Sequence, residues 1–237
     1  MRIIAITGAS GGVAQAIINQ LPSEDYVIAL GRDKATLESL YGKRPHTTCW
    51  SLDLSNDAEI AAIVERMYDL HGRIDVFINN AGYGNFNAFD AYTTADIRAM
   101  FEVNTFATMT FSRLVGQRMK AAKRGHIITI ASMAGLMASA KSSVYSATKF
   151  AVIGFSNALR LELADSNVYV TTINPGPIAT SFFDKADPSG EYLKSVGRFV
   201  LQPEEVARRT VAILGKNKRE VNMPWPIAAA HKFYTLF

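Results

Sequence analysis

The chain holds one cysteine, Cys49, among 237 residues. A disulfide within it is impossible, which fits a reducing compartment. The opening MRIIAITGAS reads as a strand running into a glycine turn. No hydrophobic leader with a cleavage site is read there, and a cytoplasmic location is expected. No apolar run approaches the roughly 20 residues of a membrane-spanning helix. The four histidines, His46, His71, His126 and His231, share no ligand spacing, so no catalytic metal is expected. Charge of one sign is scarce as well, with a formal net charge of +4. The compact basic groups, Lys120 with Lys123 and Arg124, and Lys216 with Lys218 and Arg219, fall at expected helix ends, where cations offset the macrodipole. Nothing resembles a basic recognition element, and no nucleic-acid partner is expected. Internal repeats and low-complexity linkers are missing, so residues 1–237 are expected to form a single domain.

What is present is a globular composition, 49% hydrophobic and 19% charged. Short β-rich runs alternate with longer helical patterns. Strands are expected at 2–7, 26–30, 47–52, 76–79, 126–131, 169–174 and, briefly, 220–222. Helices are expected at 13–20, after Asp33 as a cap, and at 58–70, 95–121, 144–163 and 203–215, the last with Pro203 in its first turn. The strands are continuous apolar runs, as parallel strands buried on both faces are. This alternation predicts an α/β fold with a parallel sheet and helices on both faces. Ligands of such sheets sit beyond the carboxyl ends of the strands, so chemically informative residues should follow strands.

They do. After the first strand comes Thr7-Gly8-Ala9-Ser10-Gly11-Gly12-Val13-Ala14. Glycines permit a tight turn and close approach of backbone to a pyrophosphate, and a helix N-terminus favours the phosphate charge. The spacing is T-G-x-x-x-G-x-G with Ala14 at the last glycine, and not G-x-G-x-x-G. A plain strand–helix turn is the alternative reading. The second strand ends Gly31-Arg32-Asp33. An acid at the tip would bind the ribose 2′-hydroxyl of NAD. Gly31 stands there instead, followed by Arg32, which suits a 2′-phosphate. NADP(H) is therefore expected, with NAD(H) second; the bland alternative for Arg32 is a solvated surface arginine. Asp53, in Ser51-Leu52-Asp53-Leu54, either accepts the adenine amino group or caps a loop.

Tyr145 and Lys149 lie four residues apart in Tyr-Ser-Ala-Thr-Lys, hence on one helix face. A free tyrosine, with a pKa of about 10, is a poor base near neutrality. A neighbouring ammonium favours its phenolate. Ser132 follows the fifth strand, thirteen residues before Tyr145, and its hydroxyl either steadies a carbonyl oxygen or serves a turn. Asn104 falls inside an expected long helix, where its amide competes with the backbone. A local break that holds a water is expected there; a satisfied interior amide is the other reading.

Together TGASGGVA at 7–14, DL at 53–54, NNAG at 79–82, Asn104, Ser132, YSATK at 145–149 and PGPIAT at 175–180 resemble the short-chain dehydrogenase/reductase family over nearly the whole chain. The resemblance implies a Rossmann-like doubly wound parallel sheet of about seven strands. It implies an oxidoreductase moving a hydride between nicotinamide and a carbonyl or secondary alcohol. By that resemblance Tyr145 exchanges the substrate proton, and Lys149 lowers the tyrosine pKa and holds the nicotinamide ribose. Ser132 orients the substrate oxygen, and Asn104 anchors a water joining Lys149 to solvent. The expected cofactor contacts begin with Gly8, Ser10, Gly11, Gly12 and Val13 at the pyrophosphate. Arg32, Asp53 and Leu54 follow at the adenosine phosphate and base, and Asn80, Ala81 and Gly82 beside its ribose. Pro175, Gly176, Ile178 and Thr180 are expected at the carboxamide. Two departures matter. Ala14 replaces a glycine, which the dinucleotide fingerprint tolerates. Gly11 stands where many NADP-using members carry a basic residue, so the NADP(H) expectation rests on Arg32 and the missing acid.

An apolar carbonyl substrate is expected, walled by Phe182, Phe183 and Tyr192 on one side and by residues 83–89 and 133–138 on the other. A mobile lid whose aromatics only seal the site is the alternative. The apolar stretch PWPIAAAHKFYTLF is expected at a subunit interface of a homodimer or homotetramer, then on its own domain, and last on a membrane surface. The competing function is a non-catalytic NADP(H)-binding regulatory protein. A degraded tetrad would favour it, and all four positions are filled.

Overall fold

The computed structural model describes residues 1–188, 190, 194 and 196–234, the last by its backbone. Seven strands form one sheet in the order β3-β2-β1-β4-β5-β6-β7, each pair parallel. They are β1 Ile3–Thr7, β2 Tyr26–Gly31, β3 Thr47–Ser51, β4 Val76–Asn79, β5 Gly125–Ile130, β6 Val168–Pro175 and β7 Glu220–Met223. The helices are α1 Gly12–Gln20, α2 Lys34–Tyr41, α3 Asp57–His71, α4 Thr94–Phe101, α5 Ala107–Ala122, α6 Ser143–Glu162, α7 Phe182–Ala186, α8 Pro203–Val211 and α9 Trp225–Tyr234. This is the Rossmann-like doubly wound sheet that the resemblance implied.

Strand alternation sorts the core into two layers. Ile4, Ile6, Val27, Ala29, Ile78, Ile128 and Ile173 meet Ile17 and Ile18 of α1 and Val206 and Ala207 of α8. Ile3, Ala5, Ile28, Leu30, Phe77, Ile127, Val168 and Val170 meet Ile60, Val64 and Met67 of α3 and Phe111, Val115 and Met119 of α5. Each isoleucine, valine, leucine, phenylalanine or methionine among them contributes roughly 1.5–3 kcal/mol on burial. A one-residue slip would exchange the two sets, so the register is strongly specified.

Local chemistry sets the helix starts. Asp33 caps α2 by accepting from the Ala35 N–H at 2.9 Å. Asn56 caps α3, and Thr93 with Asp96 forms a capping box at α4. The expected helix at 95–121 is interrupted: Glu102–Phe106 makes a π-turn between α4 and α5, the break anticipated at Asn104. The chain runs from β1 outward to β3 and returns to β4 on the other side of β1. The connections leave in opposite directions at this point and open a crevice beyond the strand ends.

Candidate active site

The crevice floor is stitched together by Thr7 and Asn80. Thr7 Oγ1 accepts from the Asn80 and Ala81 N–H groups, both at 3.0 Å. The Asn80 amide donates back to the Thr7 and Gly8 carbonyls at 3.0 and 3.2 Å. Gly8 has φ +64°, and a Cβ there would lie 2.8 Å from Ala81 Cα, so a side chain has neither the space nor the backbone conformation. The Gly11 N–H closes the turn on the Gly8 carbonyl at 3.0 Å. The helix α1 starts with no side-chain cap, which leaves its first N–H groups for an anion. The buried Tyr41 hydroxyl donates to the Ala9 carbonyl at 2.5 Å and steadies the same turn from α2. Across the crevice, a Cβ on Gly12 would lie 2.9 Å from Thr180 Cγ2. The segment Pro175–Thr180 therefore abuts the glycine turn, while Pro224 and Ile227 close on Gly176 from behind. Arg32 is exposed at the end of β2. Asp53 Oδ1 accepts from the Ser55 N–H and Oγ at 2.9 and 2.8 Å. Those hydrogen bonds, and the nearby Arg32 charge, hold its carboxyl below the usual range.

Tyr145 and Lys149 are both buried one turn apart on α6, with Nζ 5.7 Å from the tyrosine ring centre. Lys149 Nζ donates to the Ile130 carbonyl at 3.2 Å. Asn104, at the π-turn, accepts from the Tyr83 N–H at 2.9 Å and donates to the Tyr83 carbonyl at 2.9 Å and Thr148 Oγ1 at 3.1 Å. Its side chain thus ties the segment after β4 to α6. A Cβ on Gly82 would lie 3.1 Å from Asn104 Oδ1 and 3.4 Å from Lys149 Nζ, so these two polar groups converge on one small residue. Ser132, just after β5, donates to the Pro175 carbonyl at 3.4 Å and accepts from the Ala134 N–H at 3.1 Å. Gly135 falls within the wall expected at 133–138, but its packing role was not read from the sequence. A Cβ there would lie 2.6 Å from the Lys149 carbonyl, so this glycine lets the Ser132 turn seat against α6.

Burial pushes the Lys149 ammonium down to about 8, against 10.5 when solvated. Between those values the unfolded chain binds more protons than the folded one, and stability rises with pH. Lys149 thus costs stability in full below pH 8, and the cost vanishes above 10.5. We expect Lys149→Met to be more stable than the parent at pH 7, by roughly 1–3 kcal/mol. The gap should close as pH rises; denaturant titrations at pH 7, about 9 and above 10 read this directly.

Over Tyr145 stand two further rings, Phe86 at 5.6 Å and Phe182 at 5.7 Å between centroids. Phe183 packs behind them, and Tyr192 lies outside the described residues. The Phe86 N–H donates to the Ala186 carbonyl at 2.8 Å, joining the loop after β4 to α7. Among the described residues there is no cluster of three or more His, Cys, Asp or Glu able to hold a metal. No helix among them is long and apolar enough to cross a membrane.

A family model described as short chain dehydrogenase matches residues 2–190. A 3-ketodihydrosphingosine reductase from Bacteroides thetaiotaomicron is 32% identical over 232 residues, covering 97% of this chain and 81% of the relative. The chain belongs to the short-chain dehydrogenase/reductase family and is an oxidoreductase. Among solved structures, the closed form of a serine dehydrogenase complexed with NADP+ is 30% identical, with a TM-score of 0.85 over 93% of this chain and 94% of that one. A 3-ketoacyl-(acyl-carrier-protein) reductase from Brucella melitensis complexed with NADH shares the fold at 21% identity, with a TM-score of 0.86 over 94% and 96%.

Proposed function

We propose that this chain, as one catalytic domain over residues 1–237, is a cytoplasmic NADP(H)-dependent oxidoreductase that interconverts a small carbonyl compound and its alcohol. The observation that carries the reading is the meeting of Asn104 and Lys149 at Gly82, beside Tyr145 and beside a glycine turn shaped for a phosphate group. That turn fits a dinucleotide: a Cβ at Gly8 would close it, and the start of α1 is uncapped. Gly8 to Val13 would hold the pyrophosphate and Arg32 the 2′-phosphate. Asp53 with Leu54 would meet the adenine, Asn80 to Gly82 the adjoining ribose, and Pro175, Gly176, Ile178 and Thr180 the carboxamide. When bound, the nicotinamide supplies or accepts the hydride. Tyr145 gives its proton to the carbonyl oxygen in reduction and takes it back in oxidation. The Lys149 ammonium stabilises the phenolate so left and holds the nicotinamide ribose, and the Ser132 hydroxyl holds the substrate oxygen. Asn104 positions the segment at Tyr83 against Thr148, next to Lys149.

A turnover screen of aldehydes, ketones and secondary alcohols with both cofactors tests the reading, with NADPH consumption expected. Binding of NADPH without turnover of any compound would favour the regulatory alternative.

The same reading includes self-assembly. Trp225 and Phe233 on α9 are exposed in the single chain, as are Phe106 and Phe150. Leaving apolar area in water costs about 25 cal/mol per Å², and two-fold pairing is the commonest remedy. Light scattering is expected to report at least a dimer at micromolar concentration, and deletion of residues 224–237 to weaken it. A monodisperse monomer, unchanged by the deletion, would leave these faces unexplained.

A further inference from the structure

The rings around Tyr145 bear on the substrate class, an inference that rests on the reductase reading above. Phe86, Phe182, Phe183 and Tyr145 form one cluster. Phe86 meets Phe182 at 6.5 Å and 69°, and Phe183 meets Phe86 at 6.0 Å and Phe182 at 5.1 Å, all near edge-to-face. Both outer rings tilt by 57° against the tyrosine. Tyr145 and Phe183 are buried, whereas Phe86 and Phe182 are half-buried, so the outer pair meets an incoming molecule first. Both sit against neighbouring backbone. A Cβ on Gly84 would lie 2.7 Å from Phe182 Cζ, and the Phe86 N–H is tied to the Ala186 carbonyl at 2.8 Å.

We propose that the substrate is an aryl carbonyl compound or its benzylic alcohol, and that Phe86 and Phe182 determine this specificity by gripping its ring. A molecule that reaches the Tyr145 hydroxyl must replace ring–ring contacts between the outer phenylalanines and the tyrosine. A flat ring replaces them in kind, presenting its edge to one face and its face to another edge. A saturated ring of the same carbon count is thicker and lacks the quadrupole. A polyhydroxylated chain leaves its hydroxyls unpaired against ring faces. In an aryl ketone the ring is bonded directly to the carbonyl carbon. Placing the oxygen at Tyr145 then keeps the ring one bond from the reacting carbon, beside the two rings that pack on the tyrosine.

The test compares acetophenone with cyclohexyl methyl ketone. Parent kcat/KM with NADPH is measured for both, and calorimetry gives the affinity of each for Tyr145→Phe saturated with NADPH. The aryl ketone is expected to lead by about tenfold or more in both measurements, as two ring contacts would give. Phe86→Leu and Phe182→Leu keep the apolar bulk but remove the ring. Each is expected to bring the two ketones toward parity while NADPH affinity stays at the parent value. Equal treatment of the two ketones by the parent, in turnover and in binding, overturns the inference and leaves the reductase reading standing. A ring preference in binding without any turnover overturns the reductase reading and keeps the ring site. A preference that survives both leucine variants overturns the assignment to Phe86 and Phe182.

Discussion

Tyr145→Phe is expected to lower turnover at least about 10²-fold while cofactor affinity stays nearly unchanged. The substitution removes one hydroxyl and nothing else. The ring keeps its contacts with Phe86 and Phe182, and the Lys149 ammonium keeps its hydrogen bond to Ile130, so fold and pocket persist. On the proposed mechanism, what is lost is the proton donor needed as negative charge develops on the substrate oxygen. That interaction is made in the transition state, so kcat and kcat/KM should fall together. Stopped-flow and steady-state rates, with a melting curve to show the variant is folded, decide the matter. Near-normal turnover in a folded variant would remove the tyrosine from the chemistry.

Arg32→Ala is expected to weaken NADPH binding by roughly ten- to a hundredfold and to leave NADH almost untouched. A charge-assisted contact to a 2′-phosphate is worth about 1.5–3 kcal/mol. Gly31 places no acid at the tip of β2, and a Cβ there would already press on Leu37 at 3.3 Å. The nearby carboxylates are engaged: Asp33 accepts from the Ala35 N–H and the Thr36 hydroxyl, and Asp53 Oδ1 from Ser55. Arg32 is exposed, so salt screens its charge. The parent's preference should therefore shrink as ionic strength rises, whereas a contact made by packing would not respond. Fluorescence titration of both cofactors at low and high salt, in parent and variant, separates the cases. Equal affinities in the parent, or an unchanged preference in the variant, would show that another group reads the 2′ position.

Several features of this site were readable from local sequence because their cause is local. The glycine turn after β1, the cap at Asp33 and the shared helix face of Tyr145 and Lys149 each depend on residues a few positions apart. The break at Asn104 was legible for the same reason, since an amide in mid-helix competes with its own backbone. Features that arise between distant segments left no periodic trace. Phe86 bonds Ala186, Tyr41 reaches Ala9, and Gly135 makes room for Lys149. The five-residue helix α7 and the helix α9 were missed too. The first is too short to show a period, and the second sits in a stretch whose even apolar composition hides one. Phe86 itself fell within an expected wall, but nothing in the residue order said that its ring would rest on Tyr145.

The contact between Gly12 and Thr180 spans 168 positions of the chain, and it has a consequence for biosynthesis. A ribosome delivers the N-terminal segment first. The glycine turn and Arg32 emerge early, yet the residue that abuts the turn follows β6. The outer side of α1 waits longer still: Val206 and Ala207 join its apolar cluster from α8, and the Gln20 amide donates to the Glu204 carbonyl at 3.0 Å. A nascent chain stalled before Thr180 thus presents the turn open on one flank and the isoleucines of α1 partly uncovered. Chaperone engagement of ribosome-bound intermediates should persist until α8 has cleared the exit tunnel.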